Sequence, residues 1–210
     1  MNGNKIICIE GNIGASKTTL LNKLKEININ KSVYIIPESV DIWQNYKDDN
    51  NNDIFTLYYY NPEKYSYLFQ NFVLNSFIEN FLEYNKKYKN SILIFERSIY
   101  CIRNVFIETL YLEKKLTKLE YKIFNKTFEL ISNLFDNYDI QIIYLQTAPL
   151  ICMDRIINRK RTGEENITLK YIEQLHKFYE EWLLNNPKVM ILDGNKRDLE
   201  LNKIINLYKK

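Results

Sequence analysis

"GNIGASKTTL", Gly11 to Leu20, is the stretch on which the fold turns. It follows "KIICIE" (Lys5 to Glu10), apolar at most positions, and opens "KTTLLNKLKEI" (Lys17 to Ile27), apolar at Leu20, Leu21, Leu24 and Ile27. The first run reads as a buried strand and the second as an amphipathic helix. A strand, a glycine-bearing turn and a helix form the setting of the phosphate-binding pattern G-x-x-x-x-G-K-[ST]. In such a loop, successive backbone N–H groups and the helix N-terminus hold phosphate oxygens. The expected phosphate contacts are therefore Gly11, Asn12, Ile13, Gly14, Ala15, Ser16, Lys17, Thr18 and Thr19. Lys17 would reach the β- and γ-phosphates of a nucleotide, and the Thr18 hydroxyl would ligate Mg²⁺.

Ser16 departs from the pattern, because it stands where the last glycine belongs. Glycine is used where backbone must approach a ligand closely or take a positive φ. With a positive φ, Ser16 would carry strain of about 1–3 kcal/mol. With helix-entry angles, its hydroxyl would only crowd the ligand, or could donate to it. The sequence leaves both conformations open.

The rest of the chain sets the frame. Its 210 residues suit one domain over 1–210 with a sizeable core. Hydrophobic residues make up 46% and charged residues 26%, as in soluble globular proteins. A formal net charge of +3 is mild and gives no argument for nucleic acid. Cys8, Cys101 and Cys152 are odd in number and widely spaced, which speaks against a disulfide framework or zinc site and for a reducing compartment. His176 is the single histidine, so a histidine-rich metal site is excluded. The start "MNGNKIICIEG" shows neither an apolar signal segment nor an Arg/Ser-rich transit segment, and no apolar run is long enough for a membrane span. A cytoplasmic protein with no membrane partner is expected. "KDDNNND" (Lys47 to Asp53) reads as a polar surface loop.

Four further short apolar runs read as strands: "SVYIIPE" (Ser32 to Glu38), "SILIFE" (Ser91 to Glu96), "DIQIIYL" (Asp139 to Leu145) and "KVMILD" (Lys188 to Asp193). Helices are expected from Asn61-Pro62-Glu63 to about Tyr88, over Ser98–Tyr111, over Thr117–Phe135, from about Pro149, over Leu169–Leu184 and at the end of the chain. Apolar strands separated by helices imply an α/β fold, a five-stranded parallel sheet flanked by helices. Ligands bind such sheets beyond the carboxyl ends of the strands. The strand endings are Glu10-Gly11, Pro37-Glu38, Glu96-Arg97 and Asp193-Gly194, so acids gather where a site would be.

Six motifs, in order along nearly the whole chain, carry a resemblance. They are "IEGNIG-x-x-KTT", "PE-x-V-x-x-W" (Pro37 to Trp43), "NP-x-K-x-x-x-x-FQ" (Asn61 to Gln70), "ERSIY" (Glu96 to Tyr100), "R-x-R-x-x-EE" (Arg159 to Glu165) and "LKYI-x-x-LH" (Leu169 to His176). Together they resemble the deoxyribonucleoside kinases, close in pattern to the insect and mitochondrial-type thymidine-preferring members. The departure is Ser16. The resemblance implies a P-loop kinase fold with an arginine-rich lid at about 159–167, and transfer of the ATP γ-phosphoryl group to a deoxynucleoside 5′-hydroxyl.

The resemblance also implies roles for single residues. Glu38 would be the base that takes the hydroxyl proton, although by itself a solvated loop acid is the plainer reading. Glu96 would help hold Mg²⁺, and Arg97 would hold the 5′-oxygen and the moving phosphoryl group. Arg155, Arg159 and Arg161 would close over the phosphates; Asp193 and Asn195, within a segment reaching Asp198, would line the adenine. Tyr59 and Glu164 would touch the sugar 3′-hydroxyl, with Glu165 the alternative because adjacent glutamates blur the register. Gln70 would read the base, since its amide carries both donor and acceptor. Val73 and Phe77 share its helix face at i+3 and i+7, and Trp43, Phe69 and Phe106 would wall the base.

Relatives that prefer deoxycytidine or purine deoxynucleosides carry an Arg/Asp pair where Phe77 and Ile102 stand here. An apolar lining there accommodates the 5-methyl of thymine, so thymidine and then other pyrimidines are expected. By resemblance alone, the chain would form a homodimer through helices around Phe72–Phe81 and Tyr121–Phe135, and dTTP would inhibit it by feedback. Two other readings compete. A thymidylate-type monophosphate kinase shares the fold, but Glu38 would repel its acceptor phosphate. A catalytically silent relative acting as a binding subunit draws support from Ser16 only, against retention of Lys17, Thr18, Glu38, Glu96 and Arg97.

Overall fold

Five strands, all parallel, lie in the order β2-β3-β1-β4-β5 in a computed structural model that describes residues 4–27, 32–196 and 200–207. They are β1 (Lys5–Glu10), β2 (Val33–Ile36), β3 (Ile92–Glu96), β4 (Ile140–Gln146) and β5 (Val189–Asp193). Each coincides with an expected strand to within two residues. β1 is central, pairing Ile7 with Ile94 on one side and with Gln141 on the other. The chain leaves β1 toward β2 and β3, then crosses to β4 and β5. This reversal opens a crevice at the carboxyl edge of β1.

Side-chain alternation along β1 divides the core. Ile7 and Ile9 face one side, where they meet Leu20, Leu21 and Leu24 of α1 (Lys17–Ile27). Ile6 and Cys8 face the other, where the larger cluster contains Phe81, Phe95, Phe124 and Tyr179. A strand buried on both faces has no polar side, which is why these runs are apolar throughout.

The larger layer is built from α4 (Pro62–Lys87), α7 (Lys118–Ser132) and α9 (Leu169–Leu183). α4 starts as its sequence suggests, with Pro62 in the first turn and the Asn61 side chain accepting from the Lys64 N–H at 3.3 Å. α7 begins with a capping box between Thr117 and Glu120. α8 (Pro149–Arg159) and α10 (Leu201–Asn206) complete the expected helices.

Two differences from expectation bear on the site. The stretch after Glu38 carries two short helices that the hydrophobic pattern did not suggest, α2 (Val40–Asn45) and α3 (Ile54–Tyr60). α3 is capped by Asp53, whose side chain accepts from the Thr56 N–H at 2.8 Å. The helix expected over Ser98–Tyr111 is instead composite: α5 (Ile99–Cys101), a π-helical segment Ile102–Ile107, and α6 (Glu108–Leu112). The polar stretch Lys47–Asp53 is a surface turn as expected, with Asp48 accepting from the N–H groups of Asn50 and Asn52. Among the described residues, no helix is long and apolar enough to cross a membrane.

Gly14 fixes how the loop after β1 meets the rest of the fold. Its φ is +78°, and a Cβ there would stand 2.3 Å from the Cys152 carbonyl oxygen of α8. Both the backbone conformation and the contact require glycine. Gly14→Ala is expected to destabilise the protein by about 2–4 kcal/mol, read as a lower urea midpoint with nothing bound.

Candidate active site

Burying a charge is costly unless it is paired, so buried charges mark places the fold keeps for a purpose. Among the described residues the buried charged side chains are Glu10, Lys17, Glu96, Arg97 and Glu164. All of them gather at the carboxyl edge of the sheet. There a cleft of about 880 Å³ is lined by the loop after β1, the end of β2, α3, α4, the π-helical segment, α8 and residues 161–164.

Lys17 is 5% exposed, and its ammonium donates to the carbonyls of Gly11 (3.1 Å) and Asn12 (2.9 Å). Burial, and then the nearby Arg97 cation, lower its pKa to about 8. The loop carbonyls therefore hold a cation that lacks a full counter-charge, and an anionic phosphate would supply it. Thr18 donates its hydroxyl to Glu96 at 2.9 Å. Ser16 has φ +69°, which settles the alternative left by the sequence: the residue occupies the left-handed region with a side chain.

Arg97 is the hub. It follows β3, has φ +69°, and its N–H donates to the Ile9 carbonyl at 2.9 Å. Its Nε donates to Glu38 at 2.9 Å, and its Nη1 donates to the Gly11 carbonyl (2.9 Å) and the Tyr179 hydroxyl (2.6 Å). The guanidinium also lies 5.0 Å from the centre of the Phe106 ring, a cation–π contact. Beneath it, Glu10 accepts from the Ser98 hydroxyl at 2.5 Å, and burial raises its pKa.

The end of the cleft away from the loop after β1 is aromatic. Trp43 stands edge-on to Phe69 at 5.3 Å and donates its indole N–H to Ser76 at 3.0 Å. Tyr59, Gln70, Val73, Ile102 and Phe106 share this lining with Phe55 and Tyr58. Glu164 is buried beneath Arg159 (2.7 and 2.5 Å) and Arg161 (3.3 Å). Glu165 is exposed and instead accepts from the Gly163 N–H at 2.8 Å. Of the two adjacent glutamates, only Glu164 faces the cleft.

Several expected contacts lie elsewhere. Gly11 and Asn12 are outside the cleft lining and act through their carbonyls on Lys17. Phe77 stands behind the lining, packed on Phe95 at 5.0 Å, and borders a small adjoining cavity of about 30 Å³ with Ile102. Asp193 is also outside the lining; it accepts from the Asn195 N–H and so orients Asn195, which does reach the cleft. Arg155 lines the cleft while its guanidinium donates to the carbonyls of Gly194 (2.9 Å) and Asn195 (3.3 Å). Asp198 lies outside the described residues. The sequence reading missed Glu10, Tyr179, Phe55 and Tyr58. Glu10 was legible as a strand-end acid, but nothing distinguishes Tyr179 among seventeen tyrosines.

A parallel sheet with a phosphate-type loop after β1 and a cleft holding a carboxylate paired with a buried guanidinium, a buried lysine and an aromatic pocket defines a P-loop phosphotransferase. Residues 7–206 match the family of deoxynucleoside kinases. The chain is 35% identical over 199 residues to human deoxycytidine kinase, covering 86% of this chain and 76% of that one. It is 32% identical over 198 residues to Xenopus laevis deoxycytidine kinase 1, covering 85% and 74%. It is 30% identical over 179 residues to human mitochondrial thymidine kinase 2, covering 85% and 64%. The chain belongs to the deoxynucleoside kinase family, and with it to the ATP-dependent phosphotransferases.

At Ser16 a glycine would adopt the same backbone without a Cβ penalty, although it gives the unfolded chain more freedom. Ser16→Gly is expected to raise stability by about 0.5–1 kcal/mol in urea unfolding and to leave nucleotide affinity equal or better. A clear loss of affinity would mean that the serine hydroxyl has a positive role.

Proposed function

We propose that this chain transfers the γ-phosphoryl group of ATP to the 5′-hydroxyl of a pyrimidine deoxynucleoside, thymidine foremost. The observation that carries the reading is the Glu38–Arg97 pair at 2.9 Å, set between the phosphate loop and the aromatic pocket. Glu38 takes the proton from the 5′-hydroxyl. The 5′-oxygen then bonds to the γ-phosphorus while the bond from that phosphorus to the bridging oxygen breaks, and ADP leaves. Arg97 Nη2 bonds to no described residue, so it is free to hold the transferring oxygens. Arg159 at the end of α8 and Arg161 in the loop that follows add positive charge, while Glu164 and Tyr59 hold the sugar hydroxyl. Work of this kind is positioning and charge stabilisation.

Mg²⁺ fits the donors present. Thr18 and Glu96 offer hard oxygen atoms in mutual contact at the loop, and Mg²⁺ takes one or two protein oxygens with phosphates and water. Thr18 and Glu96 would hold the ion, which when bound neutralises charge on the β- and γ-phosphates.

The preference for thymidine rests on the pocket rather than on the relatives, which carry both deoxycytidine and thymidine in their names. Ile102 closes the cleft and Phe77 packs behind it, so the base meets an apolar wall suited to a 5-methyl group. A monophosphate acceptor would bring its own anion against Glu38. Exposed Leu68 and Leu82 on α4, and Leu119, Ile123 and Leu130 on α7, support a homodimer through those helices. Feedback inhibition by dTTP belongs to the same proposal and follows from the family likeness.

The test is a coupled assay with ATP and Mg²⁺ on thymidine, deoxycytidine, deoxyadenosine, deoxyguanosine and thymidylate. Thymidine is expected to lead. Comparable turnover of deoxyadenosine would defeat the pocket argument, and turnover of thymidylate alone would mean a different acceptor. Glu38→Gln is expected to lower kcat by about 10²–10⁴ with a smaller change in KM.

Lys17 adds a pH dependence. Its ammonium loses a proton as pH rises through about 8, and polyphosphate favours the charged form. ATP binding is therefore expected to take up protons around and above pH 8, and affinity to fall from pH 7 to 9. Calorimetry in buffers of different ionisation enthalpy reads both.

A further inference from the structure

β1 alternates between the two layers, and its residues Ile6 and Cys8 belong to the larger apolar cluster. Glu10, the last residue of the strand, continues that face. An apolar side chain would suit the position, and an acid there is costly. Glu10 is 0% exposed. Its Oε1 accepts from the Ser98 hydroxyl at 2.5 Å, while its Oε2 has no hydrogen-bond partner among the described residues. Glu10 and Ser98 both stand outside the lining of the large cleft. They nevertheless join two elements that form it. Glu10 directly precedes the phosphate loop, and Ser98 directly follows Arg97.

The contacts around this pair form a ladder. The Arg97 N–H donates to the Ile9 carbonyl, and Arg97 Nη1 donates to the Gly11 carbonyl, each at 2.9 Å. Between them the Ser98 hydroxyl donates to Glu10. Three consecutive residues at the end of β1 thus grip two consecutive residues after β3. Arg97 has φ +69°, a conformation that persists only where the surroundings over-determine it. The Ile9 bond fixes the turn at its entry, and the Glu10 bond fixes it at its exit. The Ser98 oxygen also accepts from the Tyr100 N–H at 3.2 Å and so caps α5, which runs on into the segment carrying Ile102 and Phe106. Capping uses only the oxygen, so it does not account for the bond to Glu10.

We propose that Glu10 is a positioning residue: through the Ser98 hydroxyl it holds the strained turn at Arg97, and so keeps the guanidinium aligned with Glu38 and with the phosphoryl group in transfer. The inference rests on the role given to Arg97 above. Such a brace acts on the transfer step more than on binding, because Lys17 and the aromatic pocket are held by other contacts.

The experiment compares the full chain with Glu10→Leu, Glu10→Gln, Ser98→Ala and the double variant Glu10→Leu/Ser98→Ala. Leucine removes the acceptor and alanine the donor, while glutamine keeps an acceptor oxygen. One readout is kcat and KM with ATP, Mg²⁺ and the best acceptor of the assay above. The other is hydrogen exchange of the Arg97 Nε–H by NMR with nothing bound, the signal being assigned by its loss in Arg97→Lys. Glu10→Leu and Ser98→Ala are each expected to lower kcat by about 10–100-fold with a much smaller change in KM. Each is expected to speed the Nε–H exchange by about tenfold. Glu10→Gln is expected to keep kcat to within about threefold, even where its urea midpoint falls. The double variant is expected to fall no further than the worse single one, because both act through one bond. Unchanged exchange in Glu10→Leu and Ser98→Ala would overturn the inference. So would a Glu10→Gln that falls as far as Glu10→Leu, since the acceptor oxygen would then not be what matters. Faster exchange with kcat unchanged, or in a chain that transfers no phosphoryl group, would support the brace and count against the role proposed for Arg97 alone.

Discussion

The site depends on one buried guanidinium. Arg97 occupies a left-handed turn straight after β3, a conformation that costs about 1–3 kcal/mol for a residue with a side chain. That strain persists because the surroundings over-determine it. Glu38 at the end of β2, the Gly11 carbonyl at the end of β1, Tyr179 of α9 and the Phe106 ring all hold the same cation. Removing one partner of such a buried pair costs several kcal/mol, because the other charge is left without compensation. The ends of β1, β2 and β3 are thus tied through one side chain, with Glu38 and the guanidinium in register before any ligand arrives.

The phosphate loop works by the same economy of charge. Lys17 is held by carbonyls of its own loop, which keep the ammonium in place but do not neutralise it. Arg97 nearby makes that deficit larger, and it is the second cause of the lowered pKa. Glu10 lies within the same electrostatic neighbourhood, and burial raises its pKa. The Lys17 ammonium, with no carboxylate in direct contact among the described residues, lines the cleft. An anion entering there gains attraction that bulk water would screen. The left-handed Ser16 shows that the loop geometry prevails over the local preference of the residue.

The sheet was legible because a parallel strand buried on both faces leaves an unbroken apolar run, and all five runs are present. The phosphate loop was legible because strand, loop and lysine must follow one another in the chain. What could not be read has a common physical character. α2 and α3 are too short for a helical period to emerge, and α3 betrays itself only through the cap at Asp53. Tyr179 meets Arg97 across 82 residues of chain, and no local pattern announces such a contact. Phe77 shares a helix face with Gln70 by spacing, as expected. Over a long helix, however, a shared face extends past the cleft, and Phe77 ends in the packing behind it. The choice between Glu164 and Glu165 was a matter of one residue of register. Glu164 is the one buried beneath Arg159 and Arg161 and facing the cleft.

The composite helix after Arg97 shows why the back of the pocket takes the form it does. Its π-helical turn includes both Ile102 and Phe106, each of which lines the cleft. A π turn widens the helix by one residue and is often found at functional sites. The same turn includes Arg103, which instead joins Glu108 and Tyr121 on the side toward α7. A charged side chain in the middle of the segment is thereby kept out of the pocket, and an apolar one is left to close it. Phe106 has a second duty, since its face also receives the Arg97 cation. The apolar lining at Ile102 and the ring that faces the Arg97 guanidinium therefore sit on one short segment of helix. A change of side-chain size at Ile102 has only this single turn of helix to cross before it reaches Phe106 and, through that ring, Arg97.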